Sequence, residues 1–369
     1  MRKKSFKLLS VILSIAILMT SLPLSVFAFS DTEDDIDTVT SEKEIFELVN
    51  LRTATTKQFK LEDGTYYLAQ YDTDVHYLDD EGAWQDINNT LAESGNEIST
   101  ADARIKFAKK TNGSNELFTI HTENRKLSLA LNGSNKKVKA QITNNSSVEE
   151  DIPELQKMTD LKNISASVKY EDVLEGTDIE YVIKGSNVKE NIIVKEKAES
   201  YTYEFTLSLN NLVAEMDGKG DIVISDSSSG EKVYIIPAAF MYDSAGAESE
   251  SVTMTLVPLG NGKYTLTITP SAEWMNANER VYPITIDPPL YNFTSSSVLD
   301  TKVSTAYPNN VYATNTTLNV GTSWRSYWKM TSLPTLPSSA YIIDAEMRLY
   351  SITSEYVSGY VGAYEVYSD

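Results

Sequence analysis

The residues best suited to a binding surface lie close together in the segment GTSWRSYWKM, near the carboxyl terminus. Alternation along this segment predicts a strand with Trp324, Ser326 and Trp328 on one face and Arg325 and Tyr327 on the other. Two tryptophans on one face can stack on sugar rings, or they can form half of a sandwich core. We therefore take Trp324, Arg325, Tyr327 and Trp328 as candidate carbohydrate-binding residues, with a core role as the alternative.

The chain carries no motif that is typical of a reactive centre. It has no cysteine and only two histidines, His76 and His121, and each lies in an alternating run that predicts a strand. The serine hydrolase elbow, the zinc protease helix and the phosphate-binding loop do not occur. We predict from this that the protein is not an enzyme and has no cofactor. The alternative is a secreted glycan-active enzyme with a pair of catalytic carboxylates, because acidic residues are abundant.

One segment resembles a calcium loop, the sequence DGKGD from Asp217 to Asp221. It lacks the alternating oxygen ligands and the closing glutamate of an EF-hand. A hairpin turn explains the segment better, and a structural Ca²⁺ ion is left open.

The amino terminus has the anatomy of a secretory signal peptide. Four basic residues within the first seven precede an apolar run from Leu8 to Leu18, and Val26-Phe27-Ala28 supplies small residues at a cleavage site. A membrane-spanning helix needs about 20 apolar residues, and Pro23 interrupts the run before that length. The sequence therefore predicts cleavage after Ala28 and a secreted, extracellular or wall-associated protein with no membrane partner afterwards.

The charge of the chain is strongly acidic, with a formal net charge of −20. Nucleic acids and anionic membranes require basic surfaces, so this balance predicts no nucleic acid partner. Without cysteine the fold cannot use disulfides and must depend on a hydrophobic core.

Short alternating segments separated by Asp-Gly, Asn-Gly and Ser-Gly steps predict an all-β protein of antiparallel sandwiches. We divide it into a signal peptide (1–28), a linker with a short helix near Ile45 to Val49 (29–55), a β subdomain (56–150), a β-sandwich subdomain (151–289) and a last domain (290–369). The alternative for residues 56–289 is one large sandwich with a long surface loop.

Most of the chain resembles known bacterial surface proteins. The stretch from Thr56 to Pro288 is similar to the amino-terminal region of large exported proteins, which include wall-associated proteins and toxins with RHS repeats. The matching pieces are FKLEDGTYYLAQYDTDVHYLDDEGAWQDINNTL, YEDVLEGTDIEYVIKGSNVKENIIV and WMNANERVYPITIDPP. In that family the last piece closes the region, so the resemblance implies a module boundary at Pro288-Pro289.

From about Ser297 the chain resembles a DNRLRE domain, a jelly roll similar to carbohydrate-binding modules. The segments AYPNNVYATNTTLNVGTS and LPTLPSSAYIIDAEMRLYSI carry this resemblance, although the namesake hexapeptide is absent. Such jelly rolls are longer than the sequence after Pro289, which implies an incomplete domain and a fragment of a larger protein. The expected function is a non-catalytic, carbohydrate-binding surface module, whose partners are wall or extracellular glycan and downstream domains of the same polypeptide.

Overall fold

The structure is a computed structural model and describes residues 12–18, 45–79, 81–122, 124–145, 158–159, 161, 163–292, 298–308, 318–330 and 340–348. It confirms the all-β prediction, because strands make up 57% and helices 3% of the residues that the structure describes. The chain divides into unit 1, Met1–Asp72 with Ser296–Asp369, and unit 2, Thr73–Ser295.

Unit 1 contains one five-stranded antiparallel sheet and one hairpin. The sheet order is β2-β3-β4-β1-β28, and β26 pairs with β27. Where the sequence predicts a short helix, the structure has strand β2 and a single 3-10 turn, Val49–Leu51. The strands are β1 (Ile12–Leu18), β2 (Phe46–Glu47), β3 (Thr56–Lys60), β4 (Tyr66–Tyr71), β26 (Val298–Ser304), β27 (Trp324–Met330) and β28 (Tyr341–Arg348).

Unit 2 contains the remaining described strands and the short helix α1 (Ala272–Met275), which begins after the capping hydroxyl of Ser271. Met158 and Thr159 also have helical backbone. The strands are β5 (His76–Leu78), β6 (Trp84–Asp86), β7 (Leu91–Ser94), β8 (Glu97–Thr100), β9 (Ile105–Ala108), β10 (Glu116–Thr122), β11 (Arg125–Leu131), β12 (Ala140–Asn145), β13 (Ser165–Leu174), β14 (Thr177–Lys184), β15 (Asn187–Val194), β16 (Tyr203–Asn210), β17 (Leu212–Met216), β18 (Ile222–Asp226), β19 (Lys232–Ile236), β20 (Phe240–Asp243), β21 (Glu248–Ser249), β22 (Val252–Gly260), β23 (Lys263–Pro270), β24 (Ile284–Asp287) and β25 (Tyr291–Asn292).

Two large sheets of unit 2 share one hydrophobic core. Their orders are β22-β23-β16-β11-β10-β9-β8-β7 and β12-β13-β14-β15-β24-β20-β21, and a four-stranded sheet, β17-β18-β19-β25, adds to the same core. Strand β16 shows why these residues form a sandwich, because buried and more exposed residues alternate along its whole length. Apolar rows of this kind pack face to face and remove their area from water.

Aromatic rings join the two large sheets at the centre of the core. The ring of Tyr181 on β14 lies 5.4 Å from that of Phe118 on β10 and 5.6 Å from that of Phe107 on β9. Aromatic pairs at such distances contribute about 0.5–1.5 kcal/mol beyond the buried area.

The structural units differ from the domains drawn on the sequence. Strand β11 pairs with β16, so residues on both sides of position 150 lie in one sheet, as in the large sandwich left open above. Beyond the Pro288-Pro289 step, Leu290 still packs in the core, and β25 still pairs with β19. The described residues after the prolines, Leu290 to Asn292, therefore belong to unit 2.

Candidate functional site

The four residues predicted to bind carbohydrate all lie on β27 in unit 1, opposite β26. Trp324 is half-buried, with the Lys302 ammonium 5.2 Å from the centre of its ring. Trp328 and Tyr327 are exposed, at 40% and 41%. Arg325 donates hydrogen bonds to the carbonyl oxygens of Gly321 and Trp324, at 2.7 and 2.8 Å. The hairpin thus brings the four residues onto one strand but directs them to both of its faces.

Both histidines lie in strands, as the sequence indicates. The side chain of His76 on β5 is fully buried, and its Nε2 atom lies 3.4 Å from a carboxylate oxygen of Asp86 on β6. His121 lies on β10, exposed and opposite Lys126. The two imidazoles therefore belong to different sheets, and among the residues that the structure describes neither lies within a group of side chains that could hold a metal ion.

The Asp217–Asp221 segment forms the turn of the β17–β18 hairpin. A carboxylate oxygen of Asp217 accepts hydrogen bonds from the backbone N–H groups of Lys219 and Asp221, at 2.7 and 3.1 Å. Nowhere in the described ranges do three or more acidic, histidine or cysteine side chains form a potential metal site.

The most unusual ionisable group is Glu190, which points into the core of unit 2. It lies directly opposite Tyr181 in the pairing of β15 with β14, and its neighbours on the same face are Val188 and Ile192. Glu190 is 4% exposed and Tyr181 is 1% exposed. We call Glu190 and Tyr181 the interior acid pair.

The surroundings of the interior acid pair are apolar. A cavity about the size of one water molecule lies beside it. Phe118, Leu129 and Ile236 from the opposing sheets line this cavity, together with Leu290, which bridges to Val188 on β15. Burial raises the pKa of Glu190 to about 7, and the Tyr181 phenol offsets part of that effect. Burial and the neighbouring Glu190 raise the pKa of Tyr181. This carboxyl group can therefore change its charge near neutral pH.

Two buried ion pairs connect the segment WMNANERVYPITIDPP to neighbouring strands. Asp243 accepts from the Arg280 guanidinium at 3.2 Å, and that guanidinium also lies 4.4 Å from the centre of the Trp274 ring. Asp287 lies 2.7 Å from the Lys189 ammonium, and burial raises the pKa of Asp287 although Lys189 opposes this. These charges attach the segment to β20 and β15, which is a structural role.

A third buried acid lies close to the amino-terminal end of unit 2. Asp74 accepts a hydrogen bond from the side-chain amide of Asn292 at 3.2 Å. Burial raises the pKa of Asp74, and the bonds from Ser186 and Asn292 lower it in part. Asp74 thereby ties the end of β25 to the first residues of the unit.

The sequence analysis missed the interior acid pair, although one signal was present. In the strand segment NVKENIIV, Glu190 lies in phase with Val188, Ile192 and Val194, all of which face inward. A charged residue in an apolar phase is the pattern expected of a buried ionisable group.

Comparison with known proteins identifies relatives that are nucleases. The tRNA(Glu)-specific nuclease WapA of Bacillus subtilis subsp. natto is 29% identical over 277 residues, which is 72% of this chain and 11% of the relative. The tRNA3(Ser)-specific nuclease WapA of Bacillus spizizenii and the tRNA nuclease WapA of Bacillus subtilis are each 28% identical, with the same coverage. This chain spans about a tenth of the length of these relatives. No family model and no solved structure matches it.

These relatives overturn several of the sequence-based expectations. We expected a non-enzymatic carbohydrate-binding module with a glycan partner and no nucleic acid partner. This expectation is wrong, because the relatives are named tRNA nucleases. The absence of catalytic motifs and the acidic net charge describe only this chain, which covers 11% of each relative. Neither observation reports on residues elsewhere in a protein of that length.

Proposed function

We propose that this protein is a nuclease that acts on tRNA, and that the described β units contribute the part that holds the RNA. One observation carries the proposal: 72% of the chain aligns with proteins named as tRNA nucleases. The sandwich of unit 2 supports a holding role, because antiparallel sheets on one shared core form a rigid platform.

The names of the relatives also bear on which feature of tRNA this region contacts. One relative is named for tRNA(Glu) and another for tRNA3(Ser), yet both align with the same share of this chain at similar identity. We infer that the region common to them binds a feature that different tRNAs share. The sugar-phosphate backbone is such a feature, since backbone contacts position a protein without reading sequence.

Incubation of total tRNA with the purified product of the complete gene tests the proposal, with cleavage resolved on a denaturing gel. We expect discrete tRNA fragments, and 5S ribosomal RNA in the same reaction serves as the control. If every tRNA remains intact over the full range of protein concentration, the nuclease proposal is wrong.

We also propose that the protein is exported, and the basic, apolar and small-residue segments before Phe29 support this. In the structure, β1 falls within the proposed signal peptide, between β4 and β28. Cleavage after Ala28 would therefore remove the strand that joins these two neighbours. None of the described helices is both long enough and apolar enough to cross a membrane. Amino-terminal sequencing of protein from the culture medium should begin at Phe29, and a mature protein that keeps Met1 contradicts export by this route.

A further inference from the structure

The segment by which the chain leaves unit 2 has little sheet pairing. It runs from Pro288 to Asn292, directly after β24, and we call it the exit segment. Leu290 forms an isolated bridge with Val188 on β15, in which the Val188 N–H donates to the Leu290 carbonyl at 3.0 Å and the Leu290 N–H donates back at 2.8 Å. Strand β25 contains only two residues and lies at the edge of its sheet. The two prolines have no N–H group to add to this bonding.

The exit segment forms one wall of the cavity beside the interior acid pair. Pro288 and Leu290 line that cavity, and Leu290 is buried. The other lining residues belong to β10, β11, β14, β15, β19 and β23, each of which has a paired strand on both sides. Local opening of a fold takes place where few backbone hydrogen bonds must break. Of the walls of this cavity, the exit segment is therefore the one that separates most readily.

The carboxyl group of Glu190 has no charged partner in this cavity. Tyr181 faces it across the strand pair, and the next ionisable group is Tyr170, whose ring centre lies 6.4 Å from that of Tyr181. The cavity residues on β10, β11, β19 and β23 are all apolar. Within the described part of the chain, Oε1 of Glu190 is buried without a hydrogen-bond partner. Since a buried charge without a partner is costly, the closed cavity favours the neutral acid.

Two further acids lie at the ends of the exit segment, and their surroundings differ from those of Glu190. Asp287, just before Pro288, lies 2.7 Å from the Lys189 ammonium. Asp74 accepts a hydrogen bond from the side-chain amide of Asn292 at 3.2 Å. Ionisation of either acid strengthens an attraction that is already present. Ionisation of Glu190 has the opposite effect, because its charge has only apolar groups and a phenol around it.

We propose that ionisation of Glu190 opens the core of unit 2 at the exit segment. The carboxylate gains hydration only when water enters, and the closed cavity has room for about one molecule. Release of the bridge between Leu290 and Val188 admits more water while the strands of the two large sheets stay paired. This pH-dependent attachment does not depend on the nuclease proposal.

The direction of the pH dependence follows from the raised pKa of Glu190. The closed state holds this pKa at about 7, compared with 4.5 for an ordinary glutamate. The closed state therefore binds the proton more tightly than the open state does. The exit segment is attached in acid and is released as the pH rises through 7.

Thiol labelling of the whole chain tests the proposal, because the chain has no cysteine of its own. Leu290→Cys places a thiol on the exit segment, and the matched control Leu266→Cys places one on β23, beside the same cavity. Both leucines are buried, so a thiol reagent reaches either position only through an opening of the core. Each labelling rate is divided by that of an unstructured cysteine peptide at the same pH, which removes the intrinsic effect of pH on the thiol. A thermal melt of each variant verifies folding.

Between pH 5 and pH 8 the normalised labelling rate of Leu290→Cys should rise roughly 10²-fold, as the two pKa values of Glu190 require. This rise should be lost when the chain also carries Glu190→Gln. At pH 8, Leu266→Cys should react more slowly than Leu290→Cys, because its exposure requires the separation of a paired strand. Equal rates for the two cysteines would mean that the whole core opens at once, and a rise that persists with Glu190→Gln would mean that another group causes the opening. Either result overturns the proposal.

Hydrogen exchange in the chain without added cysteine provides the second measurement, which does not depend on the folding of the cysteine variants. The amide protons of Val188 and Leu290 form the bridge, and that of Leu207 on the central strand β16 is the reference. Protection of the two bridge amides should be weaker than that of Leu207 and should decrease from pH 5 to pH 8, with no such decrease in Glu190→Gln. Bridge amides that remain as protected as Leu207 at pH 8 refute the release of the exit segment.

Discussion

Replacement of Glu190 by glutamine should change how the stability of this protein depends on pH. The folded state holds the pKa of Glu190 at about 7, compared with 4.5 for an ordinary glutamate. The folded chain therefore binds this proton more tightly than the unfolded chain does. Because the pKa is raised, the stabilisation is complete below pH 4.5, decreases as the pH rises through 7, and is absent above that.

The magnitude follows from the two pKa values. Their difference, at 1.36 kcal/mol for each unit of pH, corresponds to about 3 kcal/mol in total, most of which is lost between pH 5 and pH 8. Asp74 and Asp287 also have raised pKa values and change stability in the same direction. Comparison of wild type and variant separates the contribution of Glu190 from theirs.

Thermal melts of the whole chain at pH 5 and pH 8, followed by near-ultraviolet circular dichroism, provide the measurement. The decrease in melting temperature from pH 5 to pH 8 should be smaller in Glu190→Gln, by roughly 5–10 °C for a domain of this size. Glu215→Gln, on the exposed side of β17, is the matched control and should behave as wild type. If Glu190→Gln keeps the wild-type pH dependence, the interior carboxyl does not titrate as described.

Three further substitutions test the packing of unit 2. Gly262→Ala should destabilise the protein by more than Gly230→Ala. Both glycines have positive φ, but a Cβ at Gly262 would also overlap the carbonyl oxygen of Leu209. The difference between the two losses of unfolding free energy, measured by urea denaturation, should exceed about 1 kcal/mol. Arg280→Met should cost about 3 kcal/mol, since it leaves the buried Asp243 carboxylate without its cation, and the Trp274 fluorescence should change as well. Tyr170→Phe should cost about 1 kcal/mol, because it removes the 2.6 Å hydrogen bond to the carbonyl of Ala108.

Each of these substitutions has an outcome that contradicts its reasoning. Equal losses of stability for the two glycine variants would mean that the backbone near Leu209 shifts to accommodate the added Cβ without a loss of free energy. A normal melting curve for Arg280→Met would show that the backbone donors around Asp243 suffice. If Tyr170→Phe has the same free energy of unfolding as the wild type, a water molecule takes over the hydrogen bond of the phenol.

Turns and strands could be predicted from the sequence because they are local. The Asn261-Gly262 step lies between β22 and β23 with positive φ at both residues, as a tight hairpin turn requires. The Gly185-Ser186 step likewise joins β14 to β15. In both places the residue type itself allows the backbone conformation, so no distant contact is needed to anticipate it.

The spatial neighbours of individual residues could be anticipated only in part. The lysine pairs at 109–110 and 136–137 are visible in the sequence. Their proximity is not, because the bridge between Lys110 and Lys139 joins residues far apart in the chain. The tryptophans of β27 were chosen as candidates by residue type alone. Residue type by itself does not indicate what the surrounding polypeptide binds.

By itself, the sequence determined the all-β class, the positions of the hairpin turns and the acidic charge, since each depends on neighbouring residues or on composition alone. The tertiary structure decided which strands pair, that Glu190 faces Tyr181 inside the core, and that Lys110 lies opposite Lys139. The physical reason is that sheet pairing joins distant segments through backbone hydrogen bonds that every residue can make. Which strand pairs with which, and in which register, is therefore fixed only when the apolar faces of the whole unit pack together.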